Sequence, residues 1–243
     1  MNQSKVTVDT SEGPMDVHAF IPDIGSVRRL PAVLLLQEAF GVNAHIKRVG
    51  ARIASLGYAA FAPELFHRAG AGVTAGYGDF AVIKPILGQL SNERIAEDLK
   101  ATHKLMVSRP EVDPSRVAAW GFCMGGWAAM LAACELPIAA AVCFYGGGMV
   151  HPRPGIGFGP LLDRMVTVRC PLLLVYGGKD AGIPAADIGA VQARLTSLGK
   201  RHEVEVYPEG GHGFFCDERK DYNAASAEEA WTRTSTWLAS RFE

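Results

Sequence analysis

The stretch that decides the fold is Arg116-Val117-Ala118-Ala119-Trp120-Gly121-Phe122-Cys123-Met124-Gly125-Gly126-Trp127. An apolar run ends in Gly-x-Cys-x-Gly-Gly, and a small-residue segment of helical character, Trp127 to Cys134, follows at once. Strand, sharp turn with a nucleophile at its tip, then helix is the pattern of a nucleophile elbow. Such a turn strains the central residue and needs neighbours almost free of side chain, because strand and helix nearly touch there. Gly121 and Gly125 meet that need. Cys123 stands where a serine is commoner, so the chemistry would run through a thiolate. The competing reading is a buried cysteine beside a packing glycine, and the strand-turn-helix spacing argues against it.

Working outward, the chain alternates strand-like and helix-like segments. Lys5–Thr10 and Met15–Ile21 alternate in polarity around Ser11-Glu12-Gly13-Pro14, as a hairpin at a sheet edge would. Ala32–Gln37, Tyr58–Ala62, Val117–Phe122, Ile138–Tyr145 and Pro171–Tyr176 read as strands buried on both faces, and Glu203–Tyr207 as an alternating one. Helices are expected from about His45 to Leu56, Ser91 to Ser108, Ala185 to Leu198 and Ala224 to Ser240. Pro63–Leu90 is glycine-rich and expected to be a long loop or lid, and Met149–Arg164 a second irregular region. The expected fold class is α/β, a mostly parallel sheet with helices on both faces, in a single domain over residues 1–243.

Composition narrows the function. The 243 residues are 49% hydrophobic, enough for a large core, and 24 Lys+Arg against 25 Asp+Glu leave a net charge of −1. Without a basic stripe or acidic tail, no nucleic-acid partner is expected. No run nears the roughly 18 apolar residues of a membrane span, and none at the start resembles a signal core, so no membrane partner is expected either. Five cysteines without a CxxC pair suit reduced thiols in the cytoplasm, with Cys134, Cys143, Cys170 and Cys216 read as structural. Neither metal-ligand spacing nor a phosphate loop is present, so no cofactor and no metal are expected.

Loops after parallel strands collect at the carboxyl edge of the sheet, where ligands bind. Cys123, Asp180 and His212 each follow a strand, in the order nucleophile, acid, histidine found in α/β-hydrolases. His212 would take the thiol proton and later return it, and Asp180 would fix its tautomer. The other histidines are read as bystanders, with His18 and His202 in or beside exposed strands. An ordinary thiol is only about 3% ionised at pH 7. The start of the following helix would help ionise it. The N–H groups of Met124 and Ala39 are expected to form an oxyanion hole. Phe40, Phe66, Trp127 and Phe214 imply a small, apolar pocket.

Together these segments resemble the dienelactone hydrolase family, a branch of the α/β-hydrolases. Gln37-Glu38-Ala39-Phe40-Gly41-Val42-Asn43, Gly57-Tyr58-Ala59-Ala60 with Pro63-Glu64-Leu65-Phe66, the Cys123 elbow, Gly211-His212-Gly213-Phe214 and Ala230–Thr234 carry the resemblance. Glu64 stands where the family usually has aspartate. The resemblance implies a cofactor-free hydrolase of small esters or lactones, a monomer or small homo-oligomer, acting through a covalent intermediate on Cys123. It implies a gating role for Glu38, which would take the thiol proton once an anionic substrate displaces it. It also implies a substrate carboxylate bound by two arginines, for which Arg68, Arg94 and Arg219 are available, and Tyr145 lining the pocket. A general carboxylesterase or thioesterase on the same residues is the alternative. A non-catalytic ligand-binding protein would lack a triad member, and a cysteine peptidase would need a more open pocket.

Overall fold

The computed structural model describes residues 1–23 and 29–243. A hairpin of β1 (Asn2–Thr10) and β2 (Gly13–Ile21) leads to β3 (Leu30–Leu36), α1 (Ala44–Ser55) and β4 (Ala59–Pro63). Then come α2 (Phe80–Gln89), α3 (Asn92–Ser108), β5 (Val112–Phe122) and α4 (Met124–Glu135). The chain ends through β6 (Ala140–Phe144), β7 (Leu172–Gly177), α5 (Ala185–Ser197), β8 (His202–Tyr207) and α6 (Ala224–Phe242). All eight strands form one sheet in the order β1-β2-β4-β3-β5-β6-β7-β8. The pairs β1–β2 and β2–β4 are antiparallel, and every other pair is parallel. This is the α/β-hydrolase-like architecture expected from the strand and helix alternation.

The order runs outward from β3 to β4, then returns to place β5 on the other flank of β3. The crevice between β3 and β5 is therefore the switch point at which open α/β sheets bind ligands. Leu36 pairs with Gly121 there, so the loops carrying Glu38 and Cys123 leave the sheet side by side.

The two faces differ in side-chain size. Trp120 and Phe122, two residues apart on β5, point to one face. There Trp120 stacks on Trp231 of α6 at 5.1 Å, and Phe122 on Phe215 at 5.1 Å. Arg52 of α1 lies 4.0 Å over the Trp231 ring, tying both helices to that face. The opposite face presents Ala119, Gly121, Ala141 and Cys143. Onto it packs α4, built almost wholly from small or apolar residues and buried from Met124 to Ala133. A helix apolar on all sides has to be buried on all sides.

Residues 65–90 are not an unstructured lid. They hold a 3-10 turn at His67–Ala69 and the ten-residue α2. Pro85 lies inside α2, where propensity alone charges about 3 kcal/mol. Ile83 and Leu87, one turn apart, are both buried. That tertiary burial outweighs the local penalty. The Met149–Arg164 stretch is irregular, as expected, and ends in a 3-10 turn at Arg164–Thr167. His18 departs from expectation: it is buried, with Nε2 2.8 Å from Glu64 Oε1, because β1 rather than β2 forms the sheet edge.

A methyl group at Gly125 would lie 2.1 Å from the Leu36 carbonyl oxygen. Gly125→Ala is expected to lose about 3 kcal/mol in urea unfolding. Gly189→Ala, inside α5 with nothing within 4 Å of the added carbon, should be neutral or gain up to about 1 kcal/mol.

Candidate active site

Cys123 sits between the last residue of β5 and the first of α4 with φ +56°, a region L-residues rarely enter and one that costs about 1–3 kcal/mol. Its N–H donates to the Phe144 carbonyl at 3.0 Å, and its own carbonyl accepts from Trp127 N–H at 3.2 Å. The sharp turn lifts the side chain off the sheet edge, above the positive end of α4.

His212 and Asp180 reach the same edge because their loops are latched together. Gly178 N–H donates to Tyr207 O and Lys179 N–H to Gly210 O, at 2.7 and 2.8 Å. A Cβ on Gly177 would come within 2.5 Å of Gly210 O, so glycine is required for this approach. Asp180 Oδ2 lies 2.7 Å from His212 Nδ1, and Oδ1 accepts from Gly182 N–H at 2.8 Å. A carboxylate acceptor puts the proton on Nδ1 and turns Nε2 to the thiol, 3.1 Å from Cys123 Sγ.

The electrostatics follow from that contact. Burial pushes the Cys123 thiol up, but the His212 charge and hydrogen bond outweigh it and leave the thiol below its ordinary value. Burial pulls His212 down, yet the Cys123 thiolate and Asp180 hold it above the usual imidazole range. Burial would raise Asp180, and the hydrogen bond from His212 brings it below the carboxylate norm. Each of the two groups thus favours the charged form of the other.

Ala39 and Met124 border the same small cavity as Cys123, of about 70 Å³. Met124 opens α4, so its N–H has no intrahelical acceptor. Among the described residues the Ala39 N–H has no backbone acceptor either.

Glu38 is fully buried beside this centre. Its Oε1 accepts from Arg219 Nη1 at 3.2 Å, while Oε2 has no partner among the described residues. No hydrogen bond joins Glu38 to Cys123, whose sulfur is engaged by His212. Arg219 stands seven residues after His212 in sequence, but successive turns (Cys216 N–H to Gly213 O, Arg219 N–H to Cys216 O) wind it back. Gly213, at φ +79°, makes room: a Cβ there would strike the guanidinium at 2.6 Å. The rings of Phe40 and Tyr77 flank that guanidinium at 5.8 and 5.6 Å. Phe40 therefore touches the centre through Arg219, and nothing in the sequence spacing marks Tyr77.

The remaining expectations divide. Tyr145, at φ +37°, is buried with its ring 5.5 Å from that of His212. Arg94 lies elsewhere, bonded to Glu12 and the Gln89 carbonyl, and Arg68 is taken up by Asp98 and Glu12. Both point to the groove between the first hairpin and α2, because α2 separates them from Cys123. Trp127 and Phe214 are core residues. Trp127 donates its Nε1–H to Gly159 O and packs behind Phe158, and Phe214 packs on Tyr145 and Tyr207. The cavity wall is built instead by Phe80, Leu87, Gly147, Arg153, Ile156 and Phe158. All but Gly147 come from the two segments that sequence marks only as long and irregular.

The comparisons with known proteins give the family. The dienelactone hydrolase family model matches residues 15–242. A candidate carboxymethylenebutenolidase of Synechocystis is 34% identical over 221 residues, covering 90% of this chain and 89% of that one. One from Methylorubrum extorquens is 32% identical over 235 residues, covering 96% and 79%. The crystal structure of a candidate dienelactone hydrolase from Klebsiella pneumoniae superposes with TM-score 0.89 at 30% identity, covering 98% of each chain. The chain belongs to the dienelactone hydrolase family, and it is a hydrolase of ester or lactone bonds. Among the described residues no helix is long and apolar enough to cross a membrane.

If His212 holds the thiol down, removing it leaves burial as the largest influence. Alkylation of Cys123 by iodoacetamide, followed by mass spectrometry across pH, should persist below the ordinary thiol range in the wild type. In His212→Ala the profile should move above that range. An unmoved profile would show that the helix end, not the imidazole, sets the thiol.

Proposed function

We propose that the protein hydrolyses small carboxylic esters or lactones, of the carboxymethylenebutenolidase type, through a covalent intermediate on Cys123. The observation that carries this reading is the unbroken contact from Asp180 through His212 to Cys123 Sγ, at 2.7 and 3.1 Å, on a strained turn.

The thiolate attacks the carbonyl carbon, and a C–S bond forms as the carbonyl oxygen takes negative charge. The N–H groups of Met124 and Ala39 stabilise that oxygen, as preorganised donors in a dry cavity do. The C–O bond then breaks, and His212 gives its proton to the departing oxygen. Water next attacks the acyl carbon with His212 as base, the C–S bond breaks, and acid and thiolate are released. Asp180 keeps the imidazole oriented throughout.

The substrate is an anion in this reading. Arg219 is held at rest by Glu38, and a substrate carboxylate competes for it and displaces Glu38. Arg153, beside the cavity and anchored by its bond to Gly182 O, supplies the second cation. Since His212 already engages the thiol, Glu38 serves chiefly as the resting counter-ion of Arg219 and less as a proton acceptor. Five free cysteines suit a reducing compartment such as the cytoplasm.

Steady-state hydrolysis of a dienelactone panel beside p-nitrophenyl esters, with wild type and Cys123→Ala, tests the reading. Lactone turnover should fall about 10⁴-fold or more in the variant. Ester turnover alone, lost in the variant, would assign a general carboxylesterase. Equal rates in both proteins would remove Cys123 from the chemistry. Arg153→Met is expected to raise KM for lactones bearing a carboxylate about tenfold while leaving KM for neutral p-nitrophenyl esters unchanged.

A further inference from the structure

Behind the catalytic cavity lies a second convergence of side chains, which shares only Glu38 with the hydrolytic mechanism. Glu38, His45 and Cys216 bring one ligand atom each to within 4.8 Å of one another. They are 0%, 4% and 0% exposed. Within this cluster Glu38 Oε2 and His45 Nε2 have no hydrogen-bond partner among the described residues. An unpaired buried acceptor costs about 1–3 kcal/mol, so two in one cluster ask for something to bind them.

The state of His45 says what that is. Its Nδ1 lies 3.3 Å from Asp217 Oδ1, and a carboxylate can only accept, so Nδ1 carries the proton. The other nitrogen, Nε2, is then left as an acceptor in the same cluster as the Glu38 carboxylate. Acceptors gathered in one buried cluster repel unless an electrophile binds among them. A carboxylate bonded to the far nitrogen is also the usual way proteins orient a metal-binding histidine. Arg48 holds Asp217 in place at 2.8 Å.

We infer that Glu38 Oε2, His45 Nε2 and Cys216 Sγ form a site for a zinc-like divalent cation. One oxygen, one nitrogen and one sulfur donor suit Zn²⁺ or Co²⁺, whereas Ca²⁺ and Mg²⁺ require mainly oxygen. Loss of the Cys216 proton on binding leaves thiolate and carboxylate to balance the two positive charges. Tetrahedral zinc sets its ligand atoms about 3.5 Å apart, so contraction by about an ångström closes the site. Three protein ligands leave the fourth position for water. His45 and its partner Asp217 also line a surface cleft of about 550 Å³ between α1 and the start of α6.

The test uses the whole protein, freed of metal with a chelator and titrated with Co²⁺. Wild type should bind one equivalent, with a thiolate-to-cobalt charge-transfer band and tetrahedral d–d bands that Zn²⁺ abolishes by displacement. Cys123→Ala should give the same spectrum, which separates this site from the thiol of the hydrolytic mechanism whatever becomes of that mechanism. Cys216→Ala should lose the charge-transfer band. His45→Gln should weaken binding at least 100-fold, and Asp217→Asn about tenfold. A wild type without the band, or a band lost in Cys123→Ala but kept in Cys216→Ala, would overturn the assignment. The wild-type and Cys123→Ala spectra decide the matter even if the buried variants fold poorly.

Discussion

Everything at the centre of this molecule depends on backbone meeting backbone at the turn after β5. Added methyl carbons at Gly121, Gly125 and Gly126 would come 1.9, 2.1 and 2.3 Å from the carbonyl oxygens of Gly125, Leu36 and Phe144. No side chain fits in these gaps. The three glycines let the ends of β3, β5 and β6 and the first turn of α4 crowd round one point. Cys123 is thereby forced to positive φ, its sulfur raised off the sheet, with Met124 next to it opening α4. The strain is held because the sheet and a wholly buried helix leave the turn no room to relax.

Around that point the protein has buried an unusual amount of charge. Asp180 and Glu38 are buried and Cys123, His212 and Arg219 half-buried, in surroundings where an unpaired charge is expensive and a paired one strong. Each has a partner: Asp180 with His212, His212 with Cys123, and Arg219 with Glu38. The pairing is incomplete at one atom, Glu38 Oε2, and Glu38 also lies beside His45 and Cys216. Glu38 thus joins two clusters, one carbonyl-directed and one rich in metal-binding donors.

Much of this was legible in the chain. The elbow shows in sequence because its constraint is local: small residues must stand two positions either side of the tip, whatever the surroundings. The parallel sheet shows because strands buried on both faces must be apolar throughout, as in Leu34–Leu36 and Leu172–Val175. The order Cys123, Asp180, His212 shows because loops after parallel strands share an edge. Local patterns of this kind lead to the fold class and to the order of the three residues, and the motifs they make up carry the family resemblance.

What sequence could not carry is how irregular segments turn back on themselves. Arg219 reaches Glu38 through a succession of tight turns after Gly213, and Arg94, closer to the expected loop, is drawn off by Glu12. Helix α2 forms through Pro85 because Ile83 and Leu87 find a buried surface, which no local propensity records. Arg153, Phe158 and Tyr77 gain their places by packing, as do His45 and Cys216, which are 171 positions apart. Sequence by itself determined the strands, the elbow and the order of reactive groups, since these rest on periodicity and backbone sterics between near neighbours. Tertiary structure alone decided which cations and donors face the centre, since that depends on burial free energy summed over contacts distant along the chain.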